Sequence, residues 1–164
     1  MLGRANISLY PPAMALLILI IKYFHILSVA LWWAAPISIP RIVRTGIEAG
    51  PEHGKLAVTS ALKTHRIATS AGGFALVTGF TLIMLLGGMK SVSPTIHISM
   101  LTAFAMLIVN IVGTQKVLMK ISEALESAPD TAQNYRAKLG MFAGIQHALW
   151  MITLGLMVFR HAAS

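Results

Sequence analysis

Long stretches without charged residues dominate the chain. Charge-free runs cover residues 67–89, 91–115 and 139–159, and an earlier apolar run contains one charge, Lys22. About 20 apolar residues in a helix cross a hydrocarbon core of roughly 30 Å. The pattern therefore predicts an all-α integral membrane protein, a single domain over residues 1–164 whose four spanning helices form a bundle. We expect these helices at about residues 13–39, 66–89, 95–120 and 139–160.

Composition supports the membrane class. Of the 164 residues, 56% are hydrophobic and 11% are charged, whereas a soluble domain carries roughly 25% charged residues. The first apolar run continues well beyond the 7–15 residues of a signal-peptide core, so we expect it to be retained. The absence of cysteine excludes disulfides and thiolate metal sites. A metal would be held by imidazole, thioether or oxygen.

The basic residues predict an orientation, because cytoplasmic connections are enriched in Lys and Arg. Nine flank the first and third connections, which we place in the cytoplasm: Arg41, Arg44, Lys55, Lys63, Arg66, Lys116, Lys120, Arg136 and Lys138. Arg4, Lys90 and Arg160 flank the other side. Both termini are then non-cytoplasmic, in a multi-pass protein of the bacterial inner membrane. Because the charges lie between the spans rather than in one patch, we expect no nucleic-acid partner.

The third connection continues the helical pattern. Val117, Leu118, Ile121 and Leu125 recur at helical spacing. This predicts that the third helix extends beyond the bilayer and breaks at 128–130, where Ala-Pro-Asp follows.

Ionisable groups at membrane depth are costly and mark candidate functional sites. Lys22 and His25 lie in the first span, His97 near the outer end of the third, and His147 within the fourth. Helical rise places His25 about 3 Å outside the midplane and His147 about 4 Å inside it. An intramembrane histidine can also serve only to tie helices together by hydrogen bonds.

Two helical stripes suggest a flat cofactor. Lys22, His25 and Trp32 share one face of the first helix, at steps of three and four. Gly140, Gly144, His147 and Met151 share a face of the fourth helix, where the glycines would leave a groove beside the imidazole. Haem iron takes axial imidazole ligands, and bundles hold cofactors between facing helices.

Our leading hypothesis is a haem b-binding protein in electron transfer with a quinone-like acceptor. His25 is the expected axial ligand, and His147 or His97 the second. Trp32 and Met151 would line the site, while Arg41 or Lys22 would pair with haem propionates or an anionic porphyrin. Arg41 and Lys22 lie toward opposite membrane faces, so one haem would not use both.

The first helix also resembles a known family. A Lys three residues before His25, Trp32 seven residues after it, and Pro40-Arg41 closing the helix resemble the signature of the HemJ-type protoporphyrinogen oxidases, with a weaker similarity to CopD-like four-helix proteins. Thr78-Gly79 and His97 resemble further family positions. The family carries a Lys two residues after that last His, where this chain has Ser99. The resemblance implies a four-helix membrane fold, haem b at His25, and porphyrinogen oxidation as an alternative function.

A second alternative is non-catalytic. The chain would then be a subunit of a larger membrane complex or a homo-oligomer, and its histidines would only join helices.

Overall fold

A computed structural model describes residues 10–159, except for the side chains of residues 129 and 130, and confirms the all-α prediction for that part. Its helices are α1 (Pro12–Glu48), α2 (Pro51–Leu85), α3 (Pro94–Ile108), α4 (Gln115–Ser127) and α5 (Pro129–Val158). A π-helical turn, Val109–Thr114, joins α3 and α4 into one continuous rod. Four rods in the described part, α1, α2, α3–α4 and α5, are long and apolar enough to cross a membrane. Arg4 and Arg160 lie outside the described residues.

Proline marks the start of each rod. Pro12, Pro51, Pro94 and Pro129 all stand in the first helical turn, where the missing N–H costs no hydrogen bond and the fixed φ already suits a helix. The turn from α2 to α3 needs two consecutive positive φ angles, 113° and 82°, at Gly87 and Gly88. Only glycine adopts such angles without steric cost.

The rods are longer than the apolar runs. α1 has 37 residues and α2 has 35, or about 55 and 52 Å at 1.5 Å per residue, against a hydrocarbon core of roughly 30 Å. α1 continues through Pro36 and Pro40 to Glu48, and α2 begins at Pro51, before its apolar run. Hydropathy identifies the lipid-contacting part of a helix, whereas lysine and glutamate are good helix formers that continue it into water.

Buried positions form a repeating seam along α2, and five of its seven residues are glycine or alanine. Seven buried positions follow one another at steps of four and three: Gly54, Val58, Ala61, His65, Ala68, Gly72 and Ala75. This is the spacing of a coiled-coil seam. Small side chains allow two backbones to approach closely, which favours association where no water drives burial.

Each rod packs against its neighbours in the chain, and α1 also packs against α5, so that α1 and α3 face each other across the bundle. A continuous apolar core fills the half that contains the α1–α2 and α4–α5 connections, with Val43, Leu118, Ile121 and Leu139 buried there. At its end, Glu48 of α1 accepts hydrogen bonds from Arg44 at 3.0 Å and from Arg136 of α5 at 2.8 Å.

A layer of polar side chains crosses the middle of the bundle. Gln146 of α5 donates to Asn110 Oδ1 at 2.8 Å, and Asn110, in the π-helical turn, donates to Thr69 Oγ1 of α2 at 2.8 Å. Thr69 in turn donates to the backbone oxygen of His65 at 2.8 Å. His65, Asn110 and Gln146 are 2–3% exposed. This layer joins three rods by hydrogen bonds in the apolar interior.

Candidate functional site: a cavity between α1 and α3

The half of the bundle opposite the packed core contains a partly open cavity of about 680 Å³. Its walls come from the first half of α1, the last third of α2, α3, and the end of α5. The volume lies within the range of roughly 300–1,000 Å³ that small-molecule and cofactor sites occupy. Trp32, 5% exposed, belongs both to the cavity lining and to the packed core, and so separates the two.

The cavity lining is apolar except for a few groups. Its ionisable side chains, among the described residues, are Lys22 and His25, and its hydroxyls belong to Ser99 and Thr153. Ser99 is fully buried and donates its hydroxyl hydrogen to Thr95 O at 2.8 Å. An apolar pocket with few polar groups is the usual form of a cofactor or ligand site.

Helix α2 fixes the ring of His25. Nδ1 lies 2.9 Å from the backbone oxygen of Ala75 and 3.1 Å from Thr78 Oγ1. The carbonyl oxygen can only accept, so Nδ1 carries the hydrogen and Nε2 of the neutral ring keeps its lone pair. Metal-binding histidines donate their other ring N–H to such an oxygen, which fixes both the tautomer and the ring orientation.

Two glycines of α2 provide room for the rings of α1. A Cβ added at Gly79 would lie 3.0 Å from His25 Cε1, and one added at Gly72 would lie 2.6 Å from Trp32 Cε2. His25 and Trp32 are seven residues apart on α1, and Gly72 and Gly79 are seven residues apart on α2. The two contacts between a ring and a glycine therefore repeat along one antiparallel seam. A larger residue at either position would push the ring toward the cavity.

Lys22 lines the cavity but is an exposed residue, and it has no carboxylate nearby among the described residues. The acidic residues of the chain all stand near the opposite end of the rods: Glu48, Glu52, Glu123, Glu126 and Asp130. Glu48 is 26 residues beyond Lys22 on the same helix, about 39 Å away at helical rise. Among the ion pairs of the described residues, none includes Lys22. The cavity therefore favours a neutral or anionic ligand.

The structure brings three of the predicted site residues together: Lys22, His25 and Trp32. The other four lie outside the lining. Arg41 is 16 residues beyond His25 on α1, about 24 Å away. The ring of exposed His97 bonds to Ser93 O of its own helix at 3.2 Å.

The stripe on α5 faces away from the cavity, contrary to the predicted groove between facing helices. His147 bonds to Ala143 O of its own helix at 2.8 Å, and Met151 is 62% exposed. An added Cβ at Gly140 or Gly144 would meet nothing within 4 Å. The surface beside His147 is thus open to the surroundings of the bundle, because α5 turns its other face to α1 and α3.

The cavity wall, as far as the structure describes it, offers a single imidazole, that of His25, as a nitrogen donor. The described residues contain no group of three or more His, Asp or Glu side chains that could hold an ion. A haem brings four nitrogen ligands of its own and needs only one or two from the protein. His25, whose Nε2 is not engaged in any described hydrogen bond, could be such a ligand.

Sequence reasoning missed Met100, which also lines the cavity, and the polar layer in the core. The spacing of seven residues is the same between His25 and Trp32 as between Gly72 and Gly79, and this match could have predicted that α1 packs against α2. No protein-family model, curated protein or solved structure matches the chain.

Proposed function

We propose that the protein binds haem b in this cavity, with Nε2 of His25 as an axial ligand, and that it acts in membrane electron transfer. The hydrogen bond from His25 Nδ1 to Ala75 O carries the proposal. It holds the imidazole in the tautomer that a metal ligand requires, at the wall of a cavity of cofactor size. Haem would supply one-electron redox chemistry when bound there, and we propose a reduced partner as the donor and a quinone-like acceptor in the bilayer.

Lys22 is the proposed partner of a haem propionate. It stands one helical turn before His25 and lines the same cavity, and a charge-assisted hydrogen bond to a carboxylate would satisfy it. Arg41 is too far along α1 to reach the same haem. The apolar walls would keep water from the macrocycle.

The orientation in the bilayer is part of the proposal. The cavity lies in the half of the bundle away from the nine basic residues of the two longer connections. Because Lys and Arg are enriched on the cytoplasmic side, we propose that the cavity lies in the non-cytoplasmic half of a bacterial inner membrane. Because the chain has no cysteine, single substitutions Lys90→Cys and Lys138→Cys can test this. An impermeant thiol reagent added to intact cells should label only the first.

Visible absorption spectra of the detergent-solubilised protein, oxidised and then reduced, test the haem. We expect a Soret band that is present in wild type and absent in His25→Ala. Matched controls are His97→Ala and His147→Ala, which remove imidazoles outside the cavity and should keep the spectrum. A wild-type protein that neither contains haem nor binds added haem would refute the proposal, and so would an unchanged spectrum in folded His25→Ala.

A second candidate is oxidation of protoporphyrinogen. One observation favours it: some residues of the family resemblance lie together, since Thr78 contacts His25 and Gly79 lies beside its ring. Ser99, which stands where the family carries Lys, lines the same cavity, whereas Arg41 and His97 lie outside it. The test is growth of a bacterial strain that lacks its own oxidase. Rescue by wild type would support this function. Failure of both wild type and Ser99→Lys, which restores the amine of the family, would reject it.

A further inference from the structure

The cavity lining also contains thioether sulfur atoms. Haem has two axial positions, on opposite faces, and a ligand for the second must come from the far side of the macrocycle. α1 and α3 face each other across the bundle, with the cavity between them. Three methionines line it, Met100 and Met106 from the α3 side and Met157 from α5.

A hydrogen bond between two rods fixes the relative heights of their residues along the bundle axis. Asn110 bonds to Thr69 of α2. Met100 of α3 lies ten residues before Asn110, and Gly79 lies ten residues after Thr69 on α2. Because the two helices are antiparallel, both steps lead toward the turn that joins α2 to α3. Both steps rise about 15 Å. Met100 therefore lies at the level of Gly79, against which the ring of His25 rests.

The other candidates are less well placed. Met106 is six residues deeper on the same helix, about 9 Å below Met100, and is packed in the core. Met157 is 37% exposed and belongs to α5, which is a neighbour of α1. The hydroxyl of Ser99 is committed to Thr95 O.

We infer that Met100 supplies the second axial ligand, through its thioether sulfur, to a haem held by His25. The inference rests on the proposed haem function and extends it, because imidazole with thioether is a ligand pair that raises the reduction potential of haem iron. Such a haem would accept electrons more readily than one held by two imidazoles.

Haem-loaded protein in detergent provides the test, with Met100→Leu, Met100→His and the controls Met106→Leu and Met157→Leu. We expect wild type and both controls to be low-spin and to show the sulfur-to-iron charge-transfer band when oxidised. Met100→Leu should lose that band, become high-spin and have a lower midpoint potential. Met100→His should stay low-spin, lack the band, and also have a lower potential. If Met100→Leu does not fold, the spectrum and potential of Met100→His test whether Met100 is the ligand.

Two outcomes separate this inference from the function on which it rests. If His25→Ala abolishes haem binding while Met100→Leu keeps the wild-type band, spin state and potential, Met100 is not the ligand and the haem function stands. A wild-type protein without haem overturns both.

Discussion

The imidazole of His25 rests against Gly79 so closely that an added Cβ would lie 3.0 Å from its Cε1 atom. The same ring donates a hydrogen bond from Nδ1 to Ala75 O, one turn earlier on α2. Helix α2 therefore acts on His25 twice: its backbone oxygen orients the ring, and its glycine leaves the space in which the ring lies. The position of the His25 ring in the cavity wall therefore depends on both helices, although only α1 carries the imidazole.

Gly79→Ala should weaken haem binding, because the new methyl group displaces the ring and lengthens its hydrogen bond to Ala75 O. Gly73→Ala is the matched control, since an added Cβ there meets nothing within 4 Å. The control should keep the haem affinity and gain up to about 1 kcal/mol of helix stability. Haem titration of the two apo-proteins measures the difference. Equal affinities would show that the contact at Gly79 does not position His25.

Lys22→Met should lower the affinity for haem, because the propionate loses its charged partner, while Lys22→Arg should retain most of it. Haem whose propionates are esterified is the control ligand, and its affinity should be the same for wild type and Lys22→Met. The measurement is a titration followed at the Soret band. An equal loss for both ligands would show that Lys22 acts by packing rather than by its charge.

The polar layer should behave as one unit. Asn110→Leu leaves Gln146 without its acceptor in the apolar interior, so we expect a loss of about 1–2 kcal/mol in unfolding free energy. Asn110→Leu combined with Gln146→Leu should cost less than the sum of the single variants, because no buried amide is then left unpaired. Denaturant titration in detergent measures the three values. Strict additivity would contradict the coupling.

Stability should depend on pH through Glu48, which α1 carries beyond the hydrocarbon core. The hydrogen bond from Arg44, and then that from Arg136, hold the pKa of this carboxylate below its usual range. A lowered pKa in the folded state means that Glu48 stabilises the fold above its unfolded pKa, and that this contribution is lost as the pH falls through the folded pKa. The melting temperature of wild type should therefore drop below about pH 4.3. Glu48→Gln should show a smaller acid-induced drop, and an identical profile would exclude the ion pair as a cause.

Sequence periodicity anticipated the helical class and the break after the third rod, where α4 ends at Ser127. It placed the start of the second helix near residue 66, whereas α2 begins at Pro51. The proline after Gly50 was an available signal, but a polar first turn has no hydropathy contrast with a loop. Helix formation in such segments follows from propensity and packing, which a hydropathy pattern does not measure.

The sequence by itself determined which segments are apolar enough to lie in a bilayer, and which helical face carries Lys22, His25 and Trp32, because both depend on local spacing alone. Only the tertiary structure decided what those faces meet. The α5 stripe with His147 turned outward, Ser99 and Met100 came to line the cavity, and Gly72 and Gly79 came to lie beneath the two rings. The reason is physical: the rotation and register of a rod are set by close packing with its neighbours, and no single helix contains that information.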